Sequence, residues 1–399
     1  MKILLVNDYA TPTGGAELLT LALRSGLRER GHDARLFASS ARPGGNSSFA
    51  DYECFGTTSL LRTPLQIVNP WAFWQLRRVL AAFRPDVVHV GVFLTQLSPV
   101  ILPLLRKVPS VYQVHWYRSI CPLGTKTLPD GTACQVPAGV VCYRSGCLPL
   151  YGWAPLMLQM RLWRRWRPVF RQIIANSEVL KRRLLAEGVG PVEVLSPGVP
   201  VQPLRPPLSS PPTIAFAGRL VRQKGVDVLL RAFAKVMAQS PEARLLVAGD
   251  GRERAPLQRL IADSGLSANV FFLGHLPRVD VERRFAAAWV QVVPSRFAEA
   301  FGLAAAEAMM RGTAVVASAS GGLPEIVREG QTGFLVPPGD AQALAEALLV
   351  FLRDRALAEQ MGKAGREVAL AHFREETYID KAIQLYQMLC WKKVDEYAH

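Results

Sequence analysis

The chain has 399 residues, half of them apolar and a fifth charged, which excludes a disordered polypeptide and leaves room for about two ordinary domains. Its net charge of +15 points to polyanionic partners: nucleic acid, an anionic bilayer or a lipid diphosphate. Lys2 is followed by only four apolar residues, Ile3–Val6, far short of a secretory apolar segment, so a cytoplasmic protein is expected.

The first half alternates strand and helix signals. Lys2–Val6 reads as a strand and Ala16–Arg30 as a helix ended by Gly31. Ala34–Ala38, Asp86–Gly91, Ser110–His115, Gln172–Asn176 and Val192–Leu195 are further strands, and such alternation predicts a parallel sheet covered by helices. Val87–Leu105 carries no formal charge over nineteen residues, close to the length of a membrane span. It holds His89, Gln96, Ser98, Pro99 and Pro103, however, and reads better as a buried strand, a loop and a short core helix.

From Cys54 to Ser177 fourteen Lys and Arg face only Asp86 and Asp130, a net of +12. The basic bias therefore belongs to one domain. Within it, Cys121, Cys134, Cys142 and Cys147 cluster in a Gly/Pro-rich insertion (118–150). In a chain without a secretion signal, such a cluster favours a structural zinc site over disulfides, although no C-x-x-C pair is present. The next segment, 151–175, has five arginines, five aromatics and no acid. On a helical wheel Leu162, Trp163, Trp166, Val169 and Phe170 take one side, and Arg161, Arg164, Arg165, Arg167 and Arg171 the other. That pattern predicts a helix lying in a membrane interface, or one packed on its own domain.

Pro200–Pro212 packs six prolines into thirteen residues and reads as a semi-rigid interdomain spacer. A second alternating set follows, with strands at Thr213–Ala217, Arg244–Ala248, Val270–Phe272, Val290–Val293 and Ala314–Ala317. The predicted domains are 1–200, 201–373 and a terminal helical segment 374–399. Two doubly wound domains are expected to form a cleft, with ligands outside the carboxyl ends of the strands.

Four motifs sit at such ends. Gly14-Gly15-Ala16-Glu17 opens the first helix, where glycine permits positive φ and close approach of a ligand; a plain strand-to-helix turn is the alternative. Arg219 and Lys224 follow the strand Thr213–Ala217 within Gly218–Gly225 and suit phosphate oxygens, though two such cations are often only solvated surface. Gly249-Asp250-Gly251 imitates a dinucleotide fingerprint, but Arg254 stands where its third glycine belongs, so a turn is the better reading. Glu299 and Glu307, eight apart, flank a helix beginning near Gly302. Its free backbone N–H groups suit an anionic, polar ligand.

The spacing of Glu299 and Glu307 resembles the E-x7-E motif of retaining glycosyltransferases, in particular family 4 with its GT-B fold. Gly218–Gly225 resembles that family's diphosphate-binding segment, and Gly321–Glu325 and Gly333–Gly339 extend the likeness. The resemblance implies two Rossmann-like domains facing across a cleft, with the last helix, roughly Arg374–Trp391, crossing back to the first domain. It implies donor contacts from Gly14, Gly15, Arg219, Lys224, Ala300, Phe301, Gly302 and Leu303. Glu299 would meet sugar hydroxyls, Glu307 the nucleotide ribose, and His115 the donor sugar, with Glu299 and His115 as the catalytic pair. Trp116 stands where the family usually has aspartate after that histidine.

The activity implied is retaining, metal-independent transfer of a hexose from a UDP- or GDP-sugar to a lipid-linked or envelope-glycan acceptor, such as lipopolysaccharide, at the inner membrane face. No catalytic cofactor is implied. A nucleotide-sugar epimerase of the same fold, a nucleic-acid-binding protein and a noncatalytic scaffold are the alternatives. No helix-turn-helix, finger or RNP-like pattern supports nucleic acid.

Overall fold

The structure, a computed structural model, describes residues 1–42 and 48–395. The chain divides into two units: Met1–Gly198 together with Glu375 onward, and Val199–Arg374.

The first unit is built on seven parallel strands: β1 (Lys2–Val6), β2 (Asp33–Ser39), β3 (Tyr52–Cys54), β4 (Val87–Val90), β5 (Ser110–Val114), β6 (Gln172–Ala175) and β7 (Val192–Val194). Their order is β3-β2-β1-β4-β5-β6-β7. Ile3, Leu4, Leu5 and Val6 are all buried, as uninterrupted apolar strands must be when helices cover both faces of a sheet. The covering helices are α1 (Gly15–Glu29), α2 (Pro70–Phe83), α3 (Leu150–Trp166) and α4 (Glu178–Ala186). Helix α2 starts where it does because Asn69 caps it, accepting from Ala72 N at 3.0 Å, and Pro70 occupies the first turn. Ser177 caps α4 in the same way.

The uncharged stretch Val87–Leu105 resolves into β4, a loop and part of a 3-10 segment, Pro99–Lys107. Among the described residues no helix is long and apolar enough to cross a membrane. The aromatic side of α3 faces the protein, not a bilayer. Trp163 is fully buried, its ring 5.2 Å from Tyr112 and 5.7 Å from Phe93, and its Nε1 donates to Ser119 O at 2.8 Å. Phe170 completes that cluster. Its opposite side, with Arg161, Arg164 and Arg165, is exposed. A helical wheel separates the two faces of an amphipathic helix without saying which is wet, and here tertiary packing takes the aromatics.

The second unit has six parallel strands: β8 (Thr213–Ala217), β9 (Arg244–Ala248), β10 (Val270–Gly274), β11 (Val290–Val293), β12 (Ala314–Ser318) and β13 (Gly333–Val336). Their order is β10-β9-β8-β11-β12-β13. Around them lie α5 (Val226–Met237), α6 (Arg254–Asp263), α7 (Arg278–Phe285), α8 (Leu303–Arg311), α9 (Ala341–Arg353) and α10 (Arg355–His372). The proline-rich segment is a fixed strap on this unit, not a spacer. Arg205 N donates to Arg311 O at 3.0 Å, Leu208 is buried, and Trp289 Nε1 donates to Ser209 O at 2.8 Å.

The last helix, α11 (Glu375–Asp395), packs on the first unit. Tyr378, Ile379, Ala382 and Tyr386 join the core formed by β1, β2 and α1, and Arg30 pairs with Asp380 at 2.7 Å.

Candidate active site

The second unit brings Lys224 and Glu299 together. After β8 the chain runs through a short 3-10 turn, Arg222–Lys224, into Gly225, whose φ of 66° is left-handed. A Cβ at Gly225 would strike the Pro294 carbonyl, so glycine lets the β8–α5 loop press on the β11–α8 loop. Arg296 N also donates to Gln223 O at 2.8 Å. At that contact Lys224 Nζ lies 2.6 Å from Glu299 Oε1, and Ser295 Oγ donates to the same oxygen at 2.5 Å. The Lys224 ammonium sits 5.4 Å from the centre of the Phe297 ring, near enough for a cation–π attraction.

Glu299 is itself fixed by its backbone. It pairs with Gly321 in an isolated parallel bridge, and Gly322 N donates to Glu299 O at 2.8 Å. Gly321 has φ 60°, and a Cβ there would collide with the Glu299 backbone. The Gly321-Gly322 pair is therefore what allows the carboxylate loop to seat. Ala300 and Phe301 are buried, and Gly302 (φ 129°) caps α8. The helix starts at Leu303, four residues after Glu299, so the loop carrying the carboxylate leads into the positive end of the helix dipole.

Arg219 is exposed just past the end of β8. Glu307 lies about 6 Å along α8 from its start and is held by Arg278 of α7, NH2 to Oε1 at 3.2 Å. Arg278 also reaches Glu282 at 3.3 Å. This arginine was not among the candidates from sequence; nothing local marks it, because its partner is twenty-nine positions away. Gly249 and Gly251 serve packing: a Cβ at either would meet the backbone of Gly218 or Leu220, and Leu220 N donates to Asp250 O at 2.9 Å.

In the first unit Gly14 caps α1 with φ −150°, an extended conformation, and Gly15 is not among the residues of positive φ. The expected left-handed turn is absent; what Gly14 provides is room, since a Cβ there would meet the Glu17 carboxylate. His115, just past β5, lies at the end of a hydrogen-bond chain. Tyr378 OH donates to Gln113 Oε1 (2.8 Å), Gln113 Nε2 to Asn176 Oδ1 (2.9 Å), and Asn176 Nδ2 to His115 Nδ1 (3.5 Å). That order makes His115 Nδ1 an acceptor and leaves the ring proton on Nε2. Burial, with His89 nearby, pushes His115 down to about 3, so the ring is a neutral donor at ordinary pH.

Sequence reasoning also missed Asp8. Fully buried, it accepts from the backbone N–H groups of Thr95 (2.8 Å), Gln96 (2.8 Å) and Leu97 (2.9 Å), and from the Thr95 hydroxyl. It locks the loop after β4 to the loop after β1. Burial raises its pKa, while those hydrogen bonds oppose the rise.

The four clustered cysteines are free thiols, as are Cys54 and Cys390. Among the described residues no group of three or more His, Cys, Asp or Glu is arranged to hold a metal ion. Cys121, Cys134 and Cys142 all lie near enough to Cys147 to act on its thiol electrostatically. Burial, then neighbouring thiols, raise the pKa of Cys147; burial is also the main cause for Cys142. The insertion is anchored to the fold instead by a buried ion pair, Lys126 Nζ to Glu187 Oε1 at 2.5 Å.

Two wholly parallel, doubly wound sheets, with the last helix returned to the first unit, define the GT-B class of glycosyltransferase fold. Sequence models agree: Glycosyltransferase Family 4 matches residues 13–203, and Glycosyl transferases group 1 matches 205–368. The chain belongs to glycosyltransferase family 4.

Among curated relatives, it is 37% identical over 182 residues to a GDP-mannose-dependent monoacylated alpha-(1-6)-phosphatidylinositol monomannoside mannosyltransferase of Corynebacterium glutamicum, covering 44% of this chain and 47% of that protein. It is 32% identical over 238 residues to the GDP-mannose-dependent alpha-(1-6)-phosphatidylinositol monomannoside mannosyltransferase of Mycolicibacterium smegmatis, covering 53% and 62%. The chain spans about half the length of the curated relatives it matches. Among solved structures, sucrose-phosphate synthase from Thermosynechococcus elongatus superimposes with a TM-score of 0.76 at 25% identity, covering 98% of this chain and 99% of that one. HepE of Anabaena, in complex with UDP and glucose, gives 0.70 at 20% identity, covering 97% and 99%.

Proposed function

We propose that the protein transfers a hexose from a nucleoside-diphosphate sugar to a lipid-linked or envelope-polysaccharide acceptor, with retention at the anomeric carbon. The observation that carries this reading is the Lys224–Glu299 pair at the loop leading into α8. A nucleotide sugar combines a dianionic diphosphate with a ring of hydroxyls, and these residues offer a partner for each. Arg219, Lys224 and the N–H groups of Gly302 and Leu303 would hold the phosphates. Glu299 would accept from sugar hydroxyls, the backbone of Ala300 and Phe301 would hold sugar and phosphate oxygens, and Glu307 would meet the ribose once it shares or exchanges Arg278.

Departure of the nucleoside diphosphate concentrates negative charge on the leaving oxygens. Fixed cations and backbone donors lower that barrier because they need little reorganisation as charge develops. Arg219 and Lys224 thereby supply the positive charge that other transferases take from a divalent ion. In the first unit, His115 Nε2–H would donate to a sugar hydroxyl, and the backbone of Gly14 and Gly15 would face the donor. The relatives' use of GDP-mannose and the UDP complex of HepE leave the base open. The phosphatidylinositol mannosides named for the relatives support the acceptor reading, and a lipid-linked acceptor would bring the reaction to the inner membrane face.

The test is a thermal-shift and turnover panel of UDP-, GDP- and ADP-hexoses with the purified protein. One donor should stabilise it, and transfer or slow hydrolysis of that donor should vanish in Glu299→Ala while the fold persists. Stabilisation by none of the three would sink the reading.

A further inference from the structure

Six of the large exposed apolar side chains of the first unit lie at the starts of two parallel helices, α2 and α3, or in the loop before α2. Helix α2 leads to the start of β4 and α3 to the start of β6, so both run antiparallel to the strands and begin toward the carboxyl edge of the sheet. Both pack against the 3-10 segment Pro99–Lys107 and so lie in one layer. The loop before α2 is clamped to α3: Gln159 Nε2 donates to Gln66 O and to Leu94 O (2.8 Å), and Arg118 NH2 donates to Gln66 Oε1 (2.8 Å). The Phe55 and Trp71 rings touch at 5.1 Å.

On this framework Leu60 is 93% exposed, Leu61 63%, Trp71 54%, Trp74 56%, Leu150 58% and Tyr151 84%. Single exposed apolar residues are ordinary, but these are large, mostly aromatic or leucine, and share one end of one layer. Basic residues follow in the same axial order on both helices. On α2, exposed Arg77 and Arg78 come a turn after Trp74, and Arg77 sits 5.4 Å from the Trp74 ring centre. On α3, exposed Arg161 and Arg165 follow Tyr151 by about 15–21 Å of helix. No acid occurs from residue 55 to 85 or from 131 to 177. An apolar tip with arginines set behind it matches the depth profile of a bilayer surface, acyl boundary first and phosphates above.

We propose that the first unit docks on an anionic bilayer through this face. Leu60, Leu61, Trp71, Trp74, Leu150 and Tyr151 enter the headgroup region, and Arg77 and Arg78, about 5–11 Å of helix behind the tryptophans, meet lipid phosphates. This is a different surface from the buried Trp163 side of α3. It goes beyond the transfer reaction and does not depend on it, because adsorption is measured without donor or acceptor.

The experiment is vesicle co-sedimentation of the full chain, with phosphatidylglycerol–phosphatidylcholine vesicles against phosphatidylcholine alone. The wild type should partition at least about tenfold better into the anionic vesicles and lose that advantage at high salt. Trp71→Ser/Trp74→Ser should reduce binding about tenfold or more, and Arg77→Gln/Arg78→Gln about fivefold for each arginine. Leu60→Ser/Leu61→Ser, on a solvent-facing loop, repeats the test if the tryptophan pair fails to fold. Val350→Ser, an exposed apolar residue of the other unit, should change nothing. Wild-type protein that ignores anionic vesicles, or binds nucleic acid in their place, overturns the proposal. So do patch variants that bind as well as Val350→Ser.

Discussion

Lys224 and Glu299 are seventy-five positions apart, yet Nζ and Oε1 meet at 2.6 Å because two strand-to-helix loops are pressed together at Gly225. The pair is partly open to solvent, 25% for the lysine side chain and 11% for the carboxylate, so an anionic ligand can reach it. Without donor, each charge satisfies the other. A diphosphate would give Lys224 a second anion and leave Glu299 free to accept from hydroxyls, so binding and sugar recognition are coupled in one pair.

That coupling separates two variants. Lys224→Ala removes a phosphate partner and leaves Glu299 without its cation; kcat/KM should fall about 10²-fold or more, with KM for donor raised. Glu299→Gln keeps the shape but weakens acceptance from sugar hydroxyls. It should lower kcat by a similar factor while nucleoside-diphosphate binding changes little. Isothermal titration with the free nucleotide beside steady-state kinetics reads the difference. Equal loss of nucleotide affinity in both variants would refute the division of labour.

Gly225→Ala tests the loop contact itself. The substitution puts a Cβ at φ 66° and against the Pro294 carbonyl. It should destabilise the second unit by about 1–3 kcal/mol and abolish donor-induced stabilisation. Urea denaturation with and without nucleotide checks both; an unchanged midpoint would contradict the geometry.

Much of this architecture was legible in the sequence because buried parallel strands are uninterrupted apolar runs. Lys2–Val6, Thr213–Ala217, Arg244–Ala248 and Val290–Val293 read from sequence with the bounds they have in the fold. Tyr52–Cys54 was not, being a three-residue edge strand, and Gly333–Val336 was hidden within a glycine-flanked motif. Asp8 and Arg278 escaped because their roles come from partners far along the chain. The strap Pro200–Pro212 was misread for a physical reason: proline forbids helix and central strand but not tight packing on a surface. For the aromatic side of α3 two readings stayed open, since amphipathicity alone does not distinguish lipid from a neighbouring core, and packing on its own domain is the one found.

His115 carries a pH prediction. Its pKa of about 3 and its acceptor role at Nδ1 make it a neutral donor, not an acid or base. The pH profile of kcat/KM from about 5 to 8 should therefore show no limb removed by His115→Gln, although that variant lowers the rate. Loss of an acidic limb in His115→Gln would assign the histidine a titrating role.

The cysteine cluster is settled by metal content and thiol reactivity. If the four clustered thiols close around a structural zinc, protein purified under reducing conditions should carry about one zinc per chain, and a ratio near zero would refute that site. Chelator should then lower the unfolding temperature. Rapid modification of all four thiols in the folded protein, unaffected by chelator, would likewise show that they hold no ion.

Acid stability follows from two histidines of the first unit, the buried His89 and the half-buried His115. His89 Nδ1 lies 2.6 Å from Tyr386 OH of α11, and burial lowers its pKa to about 4; His115 falls to about 3. Both lie below the unfolded value of about 6.5, so between those limits the unfolded chain binds more protons than the folded one. The histidine contribution is fully present above about pH 6.5 and is lost as pH falls. Each ring contributes a slope of up to about 1.4 kcal/mol per pH unit, which ends near pH 4 for His89 and near pH 3 for His115. Chemical denaturation from pH 7 to 4 should show this decline, and His89→Asn should remove about half of the slope. Tyr386→Phe leaves the His89 ring without its hydroxyl partner and should cost about 1–3 kcal/mol at neutral pH, loosening α11 from the sheet. Flat stability across that range would show that both rings protonate freely in the folded protein.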